Sequence, residues 1–295
     1  MVSLLRRPMI VAAATIGVML GVALLAFALG ADLVSLVLGA AIVAAAFALV
    51  VGAWLVPGRR QEGRRQRRAE RTARKEFGRT RRVIHAAERR LFDQLEALVW
   101  LRDELGLARP LPPTRGAAAA PDALRELVRI VDRTRPEHIL ELGSGVSTIV
   151  MAARLRRLGQ GSLVALEHIP LYAAATRHQL EAQGLADVAT VVDAPLVATR
   201  VGGTEWRWYE LGPAVPERID LLFVDGPPGD MARLARYPAL PLLHDRLAPG
   251  ALIVVDDGDR RDEREMVRRW TSEVEGVTAE HLPFAKGAWL LTMPA

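Results

Sequence analysis

Glu141, Gly143 and Gly145 stand two residues apart in I-L-E-L-G-S-G-V-S-T-I-V-M-A (139–152). An apolar run ends there in an acid, two glycines follow with Ser144 between them, and apolar residues resume at helical spacing. Strand, tight turn and helix is the local structure this dictates, because glycine lets the backbone bend sharply and admits a bulky ligand. The turn opens a helix N-terminus whose free N–H groups suit a polar ligand. About twenty residues further on, Glu167 closes the short run S-L-V-A-L-E (162–167). An acid at that strand tip can accept both ribose hydroxyls of an adenosine, so Glu167 is the expected ribose ligand. His168 beside it joins the binding set, with a general base and a polar surface residue as its other readings. Asp225, Asp256 and Asp257 end two further apolar runs, I-D-L-L-F-V-D-G-P-P-G (219–229) and L-A-P-G-A-L-I-V-V-D-D-G (247–258). Carboxylates in such places can take a proton from a substrate or bind a hard cation through oxygen.

These residues need a parallel sheet to bring them together, since open α/β sheets keep their chemistry outside the carboxyl ends of the strands. The pattern predicts helices over 123–133, 171–183, 231–247 and 264–271. It predicts strands over 189–192 and 221–224, and two closing strands over 276–281 and 287–293. Trp206, Trp208 and Tyr209 form an aromatic cluster that either lines an acceptor pocket or packs on the sheet. A nicotinamide fingerprint would require G-x-G-x-x-G, and Thr148 occupies the third glycine position.

Taken in order, E-L-G-S-G, L-E, V-D-G-P-P-G and L-x-P-G-A-L-I-V-V-D-D resemble the motifs of class I S-adenosylmethionine-dependent methyltransferases, in their small O-methyltransferase-like branch. The resemblance covers 121–295. It implies a Rossmann-like, mostly parallel seven-stranded sheet with helices on both faces and one antiparallel strand near the end. It also implies that Gly143, Ser144 and Gly145 pack against the methionine part of the cofactor while Glu141 supports the loop. Asp193 and Ala194, after the third strand, would lie near the adenine amino group, although an Asp that merely caps a turn reads the same way. Asp225 is shared between cofactor and catalysis, and Asp225 or Asp256 is the candidate general base. In the metal-dependent relatives an Asp and an Asp-Asn pair bind Mg²⁺. Asp225, Asp256 and Asp257 occupy similar places, with Asp257 where that family has Asn.

Charge divides the chain into three unlike parts. Residues 1–57 carry only Arg6, Arg7 and Asp32, residues 59–90 hold 14 basic and 4 acidic side chains, and the remainder is acidic, giving nets of +1, +10 and −6. The basic excess therefore belongs to one segment, and it suits an anionic surface beside a membrane rather than nucleic acid. Cysteine is absent, which excludes disulfides and thiolate metal sites. Met9 to Leu29 and Leu33 to Val56 are uncharged runs, each long enough to span a bilayer, with Gly30-Ala31-Asp32 between them. They predict a two-helix transmembrane hairpin over 1–57. Basic residues at both ends put both termini and the catalytic domain in the cytoplasm, at the cell membrane. A basic juxtamembrane linker and helix fill 58–120, in which Arg59 to Lys75 can meet anionic lipid headgroups. Ile84, Leu91, Leu98 and Leu105 recur every seven residues over 76–107, so the helix there docks on its own domain or, as a coiled coil, on a second copy.

The expectation is a membrane-anchored methyltransferase that uses S-adenosylmethionine, with or without Mg²⁺, on a hydroxyl of a small-molecule, lipid-linked or glycan acceptor. The strand-glycine-helix-acid layout leaves two rivals, a nicotinamide-dependent oxidoreductase and a non-catalytic membrane adaptor that keeps the fold.

Overall fold

The computed structural model describes residues 17, 21, 33–54, 62–114, 116 and 118–295. The chain divides into two compact units, Met1–Arg82 and Val83–Ala295. In the first, helix α1 (Leu33–Trp54) runs for 22 residues without a charge. The other apolar run, Met9 to Leu29, and the turn at 30–32 lie outside the described residues apart from 17 and 21. Among the described residues no helix is long and apolar enough to cross a membrane, so the expected transmembrane hairpin is not seen there.

Helix α2 (Glu62–Leu105) begins fourteen residues before the amphipathic pattern does and takes in most of the basic run. Arg, Lys, Glu, Gln and Ala all favour helix, no proline interrupts, and the glycines within it are too few to end it. It stops at Gly106, whose φ of +57° is the left-handed conformation that terminates helices. Within the second unit Ala97, Leu101 and Leu105 are buried, one turn apart. Ile84 and Leu91 of the seven-residue stripe stay exposed. The contact with the domain thus follows i, i+4 rows near the end of α2, and the described residues show no coiled coil.

The second unit then alternates helix and strand: α3 (Pro121–Thr134), β1 (His138–Leu142), α4 (Val146–Leu158), β2 (Ser162–Glu167), α5 (Pro170–Ala182) and β3 (Ala189–Asp193). A two-stranded hairpin follows, β4 (Leu196–Val201) and β5 (Thr204–Tyr209), and then β6 (Ile219–Val224), α6 (Ala239–Leu243), β7 (Leu247–Asp256), α7 (Arg261–Glu273), β8 (Thr278–Leu282) and β9 (Ala288–Thr292). Seven strands form one sheet in the order β3-β2-β1-β6-β7-β9-β8. Only β9 runs against the rest, paired antiparallel to β7 and β8. Side chains of the central strands alternate between two buried layers. Ile139, Leu221 and Phe223 enter one with α3 and α4, while Leu140, Leu142, Leu222 and Val224 enter the other with α6 and α7. Trp208 and Tyr209 are buried in that second layer and Trp206 stacks on Tyr237, so the aromatic cluster is packing, not a pocket wall.

Register decides what the sheet edge holds. Leu142 pairs with Leu166 on one side and Val224 on the other, and Val224 pairs with Val255. The residues just beyond, Gly143, Glu167, Asp225 and Asp256, therefore emerge side by side. The strand order also departs in opposite directions from β1 and β6, which opens a crevice between their carboxyl ends.

The helix expected over 231–247 does not form. Its only regular part is α6, followed by a 3₁₀ turn at His244–Arg246. Pro238 precedes α6, Leu234 takes a φ of +56°, and its N–H is donated to Asp262 Oδ2 at 2.9 Å. The irregular path turns Arg236 inward, and the carbonyl oxygens of Pro227, Asp225 and Asp256 accept its N–H groups.

Just past β7, Gly258 runs against the backbone of Ala288, where an added Cβ would lie 2.8 Å from backbone atoms. Neither strand can give way without disturbing the Asp256–Asp257 corner. Gly258→Ala is expected to cost about 1–3 kcal/mol, the range of overpacked sites, read as a lowered midpoint in denaturant unfolding of the second unit's transition. An unchanged midpoint would show that this corner is slack.

Candidate active site

The glycine loop is held from below by an acid. Gly143 takes a φ of +99°, which a side chain would oppose, and its N–H is donated to Leu166 O at 2.9 Å. Gly145 is the N-cap of α4, and an added Cβ there would meet nothing within 4 Å. Glu141 is fully buried and points into the loop: Ser147 Oγ lies 2.5 Å from one carboxyl oxygen and Thr148 Oγ1 2.6 Å from the other. Thr148 Oγ1 in turn accepts the Gly145 N–H at 2.9 Å. A third glycine at this position would abolish both bonds. Glu141 thus supports the loop rather than facing a ligand. Burial pushes its pKa up to about 8, against the pull of the two hydroxyls.

Over this loop lies a cavity of about 490 Å³, walled by Ser144, Gly145 and Ser147, by Tyr172 and Thr176 of α5, and by Asp225. Pro112, Pro113, Ala118 and Ala119, from the segment before α3, close its other side. The volume, the polar helix N-terminus on one wall and the apolar segment on the other suit a nucleoside-sized ligand.

Glu167 is buried beside the loop. Its Oε2 accepts the Ser144 N–H at 3.1 Å and the Ser144 hydroxyl at 3.3 Å, and its Oε1 accepts the Ile169 N–H at 2.9 Å. An ionised carboxylate offers about four lone-pair sites, so capacity remains for a sugar hydroxyl. Ala194 N–H is donated to Glu167 O at 2.8 Å, which ties β3 to the same corner. His168 is not a surface residue: its side chain is 14% exposed and its ring meets Tyr209 edge-on. Its Nδ1 lies 3.2 Å from Glu167 Oε1 without forming a hydrogen bond. Asp193 turns away, and its half-exposed carboxylate accepts from Arg177 at 2.6 Å. Neither His168 nor Asp193 lines the cavity.

The third group is the carboxylate edge. Asp225, Asp256 and Asp257 place one oxygen each within 4.8 Å of one another. Burial raises the pKa of Asp225 well above the usual carboxylate value, and the Asp256 charge adds to the rise while Arg236 opposes it. Burial also raises Asp256, with Asp257 next in effect. Arg236 lies among them: its NH2 group is 3.3 Å from Asp225 Oδ1 and 3.2 Å from Asp257 Oδ2, and its side chain is 4% exposed. Arg260 adds a contact of 2.9 Å to Asp257 Oδ2, and Lys286 Nζ lies 3.8 Å from Asp257 Oδ1. The oxygens would suit Mg²⁺ by type, but two of the three carboxylates already face a buried guanidinium. The donor set therefore does not fit a divalent ion well. Asp256 and Asp257 also do not cap α7, whose N-cap is Arg260 with no side-chain cap bond.

The sequence pattern omitted Thr176, Tyr172, Arg236, Glu263 and Lys286 from the site. Lys286 had no local signal, as it reaches the edge from the β8–β9 loop to hold Gly116 O and Ala118 O at 2.9 and 2.8 Å. Arg236 had one: the second arginine of A-R-L-A-R-Y-P (232–238), which begins three residues after V-D-G-P-P-G ends.

Glu141 sets a pH dependence. Its folded pKa lies above its unfolded value of 4.5, so the folded state holds the extra proton between those values. The stability this contributes is complete below about 4.5 and is lost as pH rises through about 8. Glu141→Gln, which cannot ionise, should gain in thermal midpoint relative to the unsubstituted protein as pH is raised from 6 to 9, on the order of the linkage relation. A midpoint difference that stays constant over that range would place the charge elsewhere.

Comparison with known proteins agrees with this geometry. Residues 140–258 match a family described as "Methyltransferase domain". The match runs from β1 to the glycine after Asp257 and so contains the loop, Glu167 and the carboxylate edge. Among solved structures, the fold is similar to methyltransferase PaMTH1 of Podospora anserina with bound SAH, at 16% identity and a TM-score of 0.48, covering 69% of this chain and 88% of that one. It is also similar to an O-methyltransferase from Bacillus cereus in complex with SAH, at 20% identity and a TM-score of 0.42, covering 67% and 90%. A third is the O-methyltransferase TomG from Streptomyces achromogenes in complex with SAM, at 22% and 0.43, covering 68% and 90%. No curated protein matches the chain. The match to a methyltransferase domain thus spans β1 to β7 and the loops at their carboxyl ends, the part of the chain that holds the site.

Proposed function

We propose that the protein is an O-methyltransferase acting on a hydroxyl of a small or lipid-linked acceptor, with Asp225 as the residue between cofactor and acceptor. The observation that carries this reading is that Asp225 lines two cavities. One is the cavity over the glycine loop. The other, of about 570 Å³, is bounded by Gly116, Pro228, Gly229, Asp230, Asp257 and Arg260. A group at the junction of two cavities can touch ligands in both.

S-adenosylmethionine, when bound, supplies a methyl group already activated by its sulfonium. The protein must align the acceptor and take its proton. A hydroxyl has a high pKa, so a base with a raised pKa is better matched to the proton than an ordinary carboxylate. Asp225, raised by burial and by Asp256, is in that condition. It would take the proton as the acceptor oxygen gains the methyl group, and Asp256 behind it would share the proton. Pro112, Pro113, Ala118 and Ala119 keep water from that side of the cofactor cavity. The nicotinamide reading loses its footing at Thr148, whose hydroxyl is spent on Glu141 and Gly145.

Anchoring to the cell membrane belongs to the same proposal. It is supported by the uncharged run at 9–29, by the absence of charge in α1, and by exposed Val34, Val37, Leu38, Ile42 and Leu49 along it. The basic run 59–75 would then face anionic headgroups on the cytoplasmic side.

Two measurements test the reading. Asp225→Asn should lower methyl transfer from labelled S-adenosylmethionine to hydroxyl acceptors by about 10²–10⁴-fold, the worth of a general base, with affinity for S-adenosylhomocysteine little changed. Transfer at the original rate would remove Asp225 from the chemistry, and absence of any cofactor binding would remove the enzymatic reading. Separately, the full chain should stay with membranes through an alkaline carbonate wash, and a chain lacking 1–57 should be released. Release of the full chain would rule out integral anchoring.

A further inference from the structure

The carboxylate edge contains four acids, Asp225, Asp256, Asp257 and Glu263, and Arg236 is the cation buried among them. Its side chain is 4% exposed, as are those of Glu263 and, within one per cent, Asp257. Its NH2 group bridges Asp225 Oδ1 and Asp257 Oδ2 at 3.3 and 3.2 Å, and its NH1 group lies 3.6 Å from Glu263 Oε1. The same guanidinium donates to three carbonyl oxygens, Pro227 at 3.2 Å, Asp256 at 3.0 Å and Asp225 at 2.5 Å. It is therefore fixed from several directions, and the irregular segment 231–238 exists in a form that brings it there. Arg260 and Lys286 approach Asp257 from the outside.

A divalent ion held by Asp225 and Asp257 would have to share these two carboxylates with the guanidinium that already bridges them, and with Lys286 beside the other Asp257 oxygen. It would then sit against a positive charge that cannot leave, because the three carbonyls hold it, and that cannot lose its proton, because arginine stays charged. We propose that Arg236 is the built-in cation of this edge: it holds Asp225 and Asp257 in the place a divalent ion would take, so the site neither binds nor uses such an ion. Arg236 is on this account a positioning residue for Asp225. The inference rests on the methyl-transfer reading for its consequence in turnover, and on the side-chain geometry alone for cation binding.

The test uses the full-length protein and Mg²⁺ or Mn²⁺ as the probe. For the unsubstituted protein, calorimetric titration should show no saturable binding up to about 1 mM, the weak end of protein cation sites. Neither EDTA nor added Mg²⁺ should move its thermal midpoint or its methyl-transfer rate. Arg236→Gln should lower the midpoint, and Mg²⁺ or Mn²⁺ should restore part of the loss in a saturable way, since the freed oxygens then have room for an ion. Arg236→Lys, which keeps the charge, should show little or no such restoration. Saturable Mg²⁺ binding by the unsubstituted protein that Asp257→Asn abolishes would overturn the inference. So would a folded Arg236→Gln that ignores both ions. Should Arg236→Gln fail to fold, the titration of the unsubstituted protein decides alone. Affinity for S-adenosylhomocysteine, measured on the same samples, separates the two levels: its absence would defeat the methyl-transfer reading and leave the cation result standing.

Discussion

Carboxylates are withdrawn from water at the carboxyl edge of this sheet in numbers that a fold must compensate. Parallel strands β1, β2, β6 and β7 end in register, so the acids at or just beyond their ends are delivered to neighbouring positions whether or not their charges are compatible. Glu141, Glu167, Asp256, Asp257 and Glu263 are all buried there, with Asp225 partly so. Leaving such charges without partners is among the most costly arrangements available to a protein interior. Much of the irregular structure around the site is the answer to that cost.

Three solutions stand side by side. Glu141 has no cation at hand and is surrounded by hydroxyls, so burial prevails and the group keeps its proton to about pH 8. Glu167 is satisfied by donors, with two backbone N–H groups and a hydroxyl on its oxygens. The Asp225–Asp257 pair is met by a guanidinium, and to bring it in the chain gives up the helix that its apolar spacing favours over 231–247. The loop acid becomes a fixed, neutral prop. Glu167 keeps spare acceptor capacity, and Asp225 and Asp256, both raised by burial, lie close together. Differences in partner, more than in residue type, separate these three environments.

Much of this was legible in the sequence because it is local. The strand-turn-helix at 139–152 follows from glycine spacing, and the strand tips at 167, 225 and 256 follow from apolar runs that end in acids. The resemblance to methyltransferase motifs implied a mostly parallel seven-stranded sheet with one antiparallel strand near the end, and the sheet is of that kind. What could not be read was non-local. The helix expected at 231–247, with Tyr237-Pro238 disturbing its middle, keeps only Ala239–Leu243 as α-helix, because Leu234 takes a φ of +56° and donates its N–H to Asp262 from across the chain. Asp193 was placed by analogy at the adenine, whereas α5 carries Arg177 within 2.6 Å of it and draws it to the surface. His168 looked like an exposed strand end because nothing in its neighbourhood announces Tyr209, forty-one residues on. The seven-residue stripe of α2 is real as spacing, but of its members Ile84 and Leu91 are exposed while Leu105 is buried in the row 97, 101 and 105.

The segment before α3 shows how far such coupling extends. Pro112, Pro113, Ala118 and Ala119 wall the cavity over the glycine loop yet belong to no helix or strand, so no backbone ladder fixes them. They are held by the far end of the chain. Lys286 grips Gly116 O and Ala118 O while its ammonium lies 3.8 Å from Asp257, and the Ala285 N–H is donated to Asp122 Oδ2 at 2.8 Å. One lysine thus joins the apolar wall to the acid edge, so the charge state of that edge and the closure of the cavity are not independent. Neutralising Asp257 would loosen the attraction that keeps Lys286 over the edge, and with it the hold on this wall of the cavity. The β8–β9 loop therefore serves the site through this segment, although residues 140–258 alone carry the family match and the loop lies outside them.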